Sequence, residues 1–209
     1  MIRVLIADDH PIVRKGLKQV LLEEYPSCHV EEADDAESLI RKTITGKWDV
    51  VICDLSMPGR SGLDALRQLK QSNPSLPVLI MSMHPEDHYA LRVLKAGASG
   101  YLGKDSIHAE LLPAIRAVLL GKKYITPTIA ERLAEALDSS SDKQPHETLS
   151  DREFHVFKLL AAGKTVSEIA AQLSLSITTV STYRARIMEK MHMTTNADLT
   201  RYAIEKELI

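Results

Sequence analysis

Runs of strand-forming apolar residues and amphipathic helical stripes alternate along the first 120 or so residues. Strands are predicted over 2–7, 29–33, 49–53, 77–82 and 100–102. Between them, Val13, Leu17, Val20 and Leu21 fall at i, i+4, i+7, i+8, and Ala36, Leu39, Ile40 and Ile44 at i, i+3, i+4, i+8. Leu111, Leu112, Ile115, Val118 and Leu119 form a further apolar stripe. Pro11, Pro26, Pro58, Pro74, Pro77 and Pro85 fall at the junctions, where a missing backbone donor is tolerated. Repeated βα alternation predicts a doubly wound α/β domain over 1–123, with five parallel strands covered by helices on both faces.

The pattern then changes. Residues 124–147 are predicted to be a linker carrying one short helix, with Ile129, Leu133 and Leu137 on one side, before an apolar-free stretch from Asp138 to Pro145. Residues 148–209 have only helical periodicity. Ser150-Asp-Arg-Glu153 and Thr165-Val-Ser-Glu168 both fit a capping box, in which a hydroxyl and a later glutamate satisfy free backbone donors. Val166, Ile169, Ala170 and Leu173 follow i, i+3, i+4, i+7. A break at Ser174-Leu-Ser176 precedes a helix over 177–191, and a last helix begins near Asn196. Four short helices, two of them joined by a tight turn, predict an all-α helix-turn-helix domain.

Composition sharpens this picture in three ways. The 44% apolar content is that of a globular protein, and aromatics at 4% predict aliphatic cores. A net charge of −2 excludes a protein that coats nucleic acid without regard to sequence. No stretch approaches the ~18 apolar residues of a membrane span, and no signal peptide is present, so a soluble cytoplasmic protein is expected. Cys53 lies within an apolar strand, which favours a buried thiol over a disulfide.

Four polar stations stand at the ends of strand-like runs: Asp8-Asp9, Asp54, Ser82 and Lys104. Side chains at the carboxyl ends of parallel strands converge on one crevice. Three carboxylates there repel one another unless a cation intervenes, and Mg²⁺ takes such oxygen ligands. Aspartates that merely cap helices would account for Asp8 and Asp9, but not for the matching positions of Asp54, Ser82 and Lys104.

Asp8-Asp9-His10, Asp54-Leu-Ser-Met-Pro-Gly59, Met81-Ser82 and the run from Ala96 to Tyr101-Leu-Gly-Lys104 resemble the receiver domain of two-component response regulators. The resemblance implies that Asp54 accepts a phosphoryl group from a sensor histidine kinase. It implies Mg²⁺ held by Asp9, Asp54 and the backbone carbonyl of Ser56, with Asp8 acting through water. Ser82 and Lys104 sense the phosphoryl oxygens, and Tyr101 is the switch aromatic, swinging inward when Ser82 moves. Ser56 and His84 tune dephosphorylation. His10 packs or caps beside the pocket without a catalytic role. Such a domain assists its own modification but is a switch and not an enzyme.

Leu149-Ser-Asp-Arg-Glu153, Ala162-Gly-Lys-Thr165, Glu168-Ile-Ala170, Leu173-Ser-Leu-Ser176 and Thr179-Val180 resemble the LuxR/FixJ-type helix-turn-helix domain. The helix over 177–191 is then the recognition helix, inserted in the major groove of promoter DNA. Val180, Tyr183, Ile187 and Met191 follow a core-facing stripe, leaving Ser181, Thr182, Ala185 and Arg186 outward. Thr179, Ser181, Thr182, Arg184, Arg186 and Lys190 are the candidate DNA contacts. Where the family often has lysine and histidine, this chain has Ser181 and Tyr183; with Ser181 and Thr182, strong bidentate guanine readout from those sites is absent, which leaves base specificity to Arg184 or Arg186. Leu199, Tyr202 and Ala203 are a candidate homodimer face, with closure of the four-helix core as the competing role. RNA polymerase is a further possible partner, and no membrane is expected. Two other readings compete: an Mg-dependent phosphatase with Asp54 as nucleophile, which would want a second aspartate where Ser56 stands, and a regulator of the same architecture that works without phosphorylation.

Overall fold

The computed structural model describes residues 1–57, 60–83, 86–138 and 144–209. They divide into two compact units, Met1–Asp138 and Ser139–Ile209. The first alternates strand and helix: β1 (Arg3–Ala7), α1 (Pro11–Glu24), β2 (His29–Ala33), α2 (Ala36–Thr45), β3 (Val50–Asp54), α3 (Gly62–Ser72), β4 (Val78–Ser82), α4 (Glu86–Lys95), β5 (Gly100–Gly103), α5 (Ile107–Leu119) and α6 (Pro127–Asp138). The five strands are parallel in the order β2-β1-β3-β4-β5. The order reverses beside β1, so the strand ends of β1 and β3 border the crevice that such sheets use for ligands. β3 and β4 are buried at every position, as central parallel strands covered on both faces must be.

Beneath α1 and α5 the core is aliphatic, built from Val4, Ile6, Leu17, Leu21, Ile52, Leu79, Leu111 and Ile115 among others. Cys28 and Cys53 are free and buried, and burial pushes both thiols up from their ordinary pKa. Asp35 and Ser61 cap α2 and α3 through their side chains. Gly62 begins α3 where no larger residue fits: a Cβ there would lie 2.0 Å from the Asp54 carbonyl oxygen. The start of α3 is thereby pressed against the end of β3.

The predicted linker 124–147 divides differently. Tyr124 donates its backbone N–H to Ser99 O at 2.8 Å and bridges to Gly100, extending the sheet at its β5 edge. α6 packs on α4, and Ile129 is 1% exposed. Burial of that one face draws the helix into the first unit, and the division falls after Asp138.

The second unit starts with a 3-10 turn (Pro145–Thr148) and continues with α7 (Asp151–Ala161), α8 (Val166–Leu173), α9 (Ile177–Met191) and α10 (Asn196–Glu205). Both predicted capping boxes form, and a third, Thr195 with Asp198, opens α10. Contrary to the aliphatic expectation, this core is partly aromatic. Phe154 and Phe157 are buried with ring centroids 6.0 Å apart. Tyr202 meets Phe157 at 6.3 Å, and His146 meets Tyr202 at 5.8 Å. Both phenylalanines of the chain lie in this smaller unit, where a small core most needs area per side chain.

One ion pair ties α9 to α7. Lys190 Nζ lies 2.7 Å from Glu153 Oε2, and the Glu153 side chain is 4% exposed. Burial alone would raise the Glu153 pKa. The Lys190 ammonium and the Ser150 backbone N–H outweigh it and hold the carboxyl below its ordinary value.

Three outcomes check this account. Gly62→Ala destabilises the first unit by about 2 kcal/mol through overpacking, whereas Gly16→Ala, with nothing within 4 Å of its Cβ, stabilises it by roughly 0.5–1 kcal/mol. Urea unfolding followed by fluorescence of Trp48, the chain's single tryptophan, reads both. For Glu153 the depressed pKa means that its contribution is complete above the unfolded value of about 4.3 and is lost as pH falls through the lower folded value. Lys190→Met therefore lowers the thermal stability of the helical unit by about 2 kcal/mol at neutral pH, and by less in acid, in unfolding curves followed by circular dichroism.

Candidate functional site

Backbone ladders that run one residue past the strand ends fix the polar stations. Asp8 N donates to Ala33 O at 3.2 Å, Leu55 N to Met81 O at 2.8 Å, and Lys104 N to Ser82 O at 2.8 Å. Register sets Ala7 beside Cys53, Asp54 beside Met81, and Ser82 beside Gly103. The four stations predicted from sequence are therefore brought together, with Asp8, Asp54 and Ser82 buried and Asp9 at the rim.

Lys104 organises the pocket. Its Nζ lies 2.7 Å from Asp8 Oδ2 and 3.0 Å from Asp54 Oδ2. Burial pulls the ammonium pKa down, but the two carboxylates outweigh it and the net shift is upward. For Asp54, burial dominates and raises the pKa, Lys104 opposes, and the Asp8 carboxylate adds to the rise. Among the described residues the pocket thus holds three carboxylates, of which one ammonium pairs with two. Asp54 Oδ1 is buried without a hydrogen-bond partner among the described residues. Ligand atoms of Asp8, Asp9, His10 and Asp54 lie within 4.8 Å of one another. An orphaned carboxylate oxygen in an oxygen-rich, under-neutralised cluster fits a hard divalent cation.

His10 takes more of the site than its adjacency to two aspartates indicated. It is the N-cap residue of α1, and its Nδ1 lies 3.1 Å from Asp8 Oδ1 and 2.8 Å from Asp9 Oδ1, with its side chain 61% exposed. Arg14, one turn into α1, donates from Nη1 to Asp8 O at 2.6 Å. Nothing in the sequence pattern marked it. Ser56 is exposed two residues beyond Asp54, and Tyr101 is fully buried on β5. His84 lies outside the described residues, as do Pro58 and Gly59 of the quoted motif.

In the second unit the turn between α8 and α9 is closed by Ser174 in the left-handed region, φ 52°, with Leu175 N donating to Ala170 O at 2.9 Å. Ser176 then caps α9. Val180, Ile187 and Met191 are buried and Tyr183 is half-buried, so the core stripe lies where the periodicity put it. Ser181, Thr182, Ala185 and Arg186 are exposed.

The six candidate DNA contacts are not equally available. Thr179 Oγ1 is hydrogen-bonded to the cap, 2.7 Å from Ser176 Oγ. Arg184 donates from Nε to Asn196 Oδ1 at 2.8 Å, tying α9 to α10. Lys190 is held by Glu153. Arg186 makes no ion pair among the described residues and is exposed. Of the two roles open to the face of α10 bearing Leu199, Tyr202 and Ala203, the structure fills that of core closure. Leu199 and Ala203 have 0% exposure, and the half-buried Tyr202 hydroxyl lies 2.8 Å from His146 Nδ1. These residues close the core against α7, because that is the side on which α10 packs. Its outward side carries Ala197, Arg201 and Ile204 instead.

With this geometry in view, the relatives fall into place. Residues 4–116 match the family model described as the response regulator receiver domain, and residues 147–203 match that of bacterial regulatory proteins of the luxR family. The response regulator GacA of Pseudomonas viridiflava is 37% identical over 210 residues, covering 100% of this chain and 98% of GacA. Among solved structures, RcsB from Salmonella enterica serovar Typhimurium, bound to promoter rprA in the presence of phosphomimetic BeF3-, matches with a TM-score of 0.60 and 29% identity, over 97% of this chain and 98% of that one. A structure of two RcsB dimers bound to two parallel DNAs matches with a TM-score of 0.60 and 31% identity, over 96% of this chain and 97% of that one. This chain belongs to the response regulators that join a receiver domain to a LuxR-type helix-turn-helix domain.

Proposed function

We propose that the protein is a phosphorylation-controlled transcription regulator, in which Asp54 accepts a phosphoryl group from a sensor histidine kinase and the modified form pairs with a second copy on promoter DNA. The observation that carries the reading is the Asp54 carboxylate: Oδ2 is held 3.0 Å from Lys104 Nζ, while the buried Oδ1 has no partner among the described residues. Oδ1 is the nucleophile. It forms a bond to phosphorus as the phosphorus–nitrogen bond of a phosphohistidine breaks, and the leaving imidazole keeps the electron pair. Such transfers are governed by positioning and by neutralisation of the equatorial oxygens.

Mg²⁺, held by Asp9, Asp54 and the Ser56 carbonyl with Asp8 behind them, would supply positive charge against the transferred oxygens. The chain's own contributions are separate. Lys104 pairs with Asp54 beforehand and is in place to meet a phosphoryl oxygen afterwards. The Ser82 hydroxyl, at the buried end of β4, donates to another. Tyr101, one strand over, is the switch aromatic that follows Ser82 when it moves toward the phosphoryl group; its ring is already buried in the unmodified chain. Ser56 and His84 set the access of water to the acyl phosphate. The protein assists its own modification and its reversal, and turns over no separate substrate.

At the output end α9 enters the major groove, with Arg186 as its principal cation. The RcsB structures on promoter DNA and as DNA-bound dimers support DNA binding and pairing by a chain of this family. Among the described residues no helix is long and apolar enough to cross a membrane, and we place the protein in the cytoplasm beside its DNA.

Incubation with acetyl phosphate and Mg²⁺ adds ~80 Da, one phosphoryl group, to the intact mass of the wild type. Asp54→Ala shows no gain, and chelation of the metal suppresses the gain in the wild type. A mass gain that survives Asp54→Ala sinks the assignment of the acceptor. On DNA, Arg186→Ala weakens binding about tenfold and lowers the slope of log affinity against log salt by about 1. Affinity and slope both unchanged would remove α9 from the groove.

A further inference from the structure

The outward side of α9 is chemically unusual for a surface that meets DNA. Three of the polar groups that could read bases are already engaged within the protein. Arg184 is bonded to Asn196 at 2.8 Å and Lys190 is paired with Glu153 at 2.7 Å. The Thr182 hydroxyl donates back to Thr178 O at 2.9 Å, as helical threonines do to the carbonyl one turn earlier. With its oxygen folded onto the helix, the exposed Thr182 presents its methyl group outward. Ala185, three residues on and exposed, presents another. The central surface of the recognition helix is therefore short, with the Thr182 and Ala185 methyls beside the Ser181 hydroxyl and Arg186 at its flank.

In the major groove only thymine offers an apolar group, its 5-methyl, and alanine and threonine methyls are its natural contacts. Guanine recognition asks for long bidentate cations; of the two other cations of α9, Lys190 is paired with Glu153 and Arg184 is anchored to Asn196 through its Nε alone. Resting on the reading that α9 occupies the groove, we infer that Thr182 and Ala185 read thymine methyl groups, and that the half-site is specified by thymines at adjoining positions more than by guanines. Short side chains also let the helix backbone approach the base edges closely, which these contacts require. Each methyl shielded from water contributes about a fourfold effect on affinity.

Deoxyuridine tests this directly, because it removes the 5-methyl and leaves the O4 acceptor in place. The full-length protein, treated with acetyl phosphate and Mg²⁺, selects duplexes from a random pool. Each thymine of the selected site is then replaced singly. One or two replacements per half-site weaken binding by about fourfold. In Thr182→Ser, which keeps the hydroxyl and loses the methyl, one of those positions becomes insensitive. Ala185→Gly abolishes sensitivity at the other, and circular dichroism shows both variants folded. An enriched site at which no replacement matters overturns the assignment, as does sensitivity that persists unchanged in both variants. A pool that enriches no sequence overturns the DNA-binding reading itself, and this assignment with it.

Discussion

The Lys104 ammonium, set between the buried carboxylates of Asp8 and Asp54, is the interaction on which the input half of this protein depends. Two anions with almost no exposure cannot sit side by side at strand ends without compensation. One cation from β5's end serves both, and in doing so it ties the end of β5, across the intervening β4, to the ends of the neighbouring strands β1 and β3. The neutralisation is incomplete by design of the residue count: among the described residues three carboxylates share the pocket with one lysine, which pairs with two, and His10 bridges two of them from the rim. The residual negative charge and the unpartnered Asp54 oxygen are what make the pocket receptive to a divalent cation and then to a phosphoryl group. Stability and function draw on the same electrostatic imbalance.

The second unit resolves the opposite problem. A region with 8 basic and 7 acidic residues over 148–209 must bind a polyanion, yet it uses part of its positive charge for its own architecture. Glu153 serves the cap of α7 and, being buried, requires a cation. Lys190 supplies it and orients α9. Arg184 joins α9 to the start of α10. These contacts fix the recognition helix rigidly, which favours precise docking, but they leave its outward side to serine, threonine, alanine and one arginine.

Much of this was legible along the chain. All five strands, the helical stripes, two capping boxes and the turn before Ser176 depend on residues within a few positions of one another, and periodicity and hydrogen-bonding chemistry report such neighbours faithfully. The polar stations were legible for a related reason: each ends a strand, and parallel strands deliver their ends to one place. Less legible was whatever depends on distant partners. The helix over 127–138 has a weak apolar stripe, and only α4 and the β5 edge show that it belongs to the first unit. The face of α10 bearing Leu199, Tyr202 and Ala203 is equally consistent in sequence with a core or a dimer. Packing against α7 decided it, and placed Phe154, Phe157 and His146 around Tyr202.

By itself, the sequence determined the architecture of both units and the identity of the Asp8, Asp9, Asp54, Ser82 and Lys104 constellation, because local pattern and strand-end position suffice for these. Only the tertiary structure decided which charges remain free. Lys190 and Glu153 are 37 residues apart, and no local rule joins them. The Gly62 contact with the Asp54 carbonyl, the reach of His10 across two carboxylates and the orphaned oxygen of Asp54 are likewise results of chain segments meeting at van der Waals distance. Pairing between remote side chains is set by the summed packing of the whole unit, and it is that packing which sorts cations that hold the fold from those left to meet a partner.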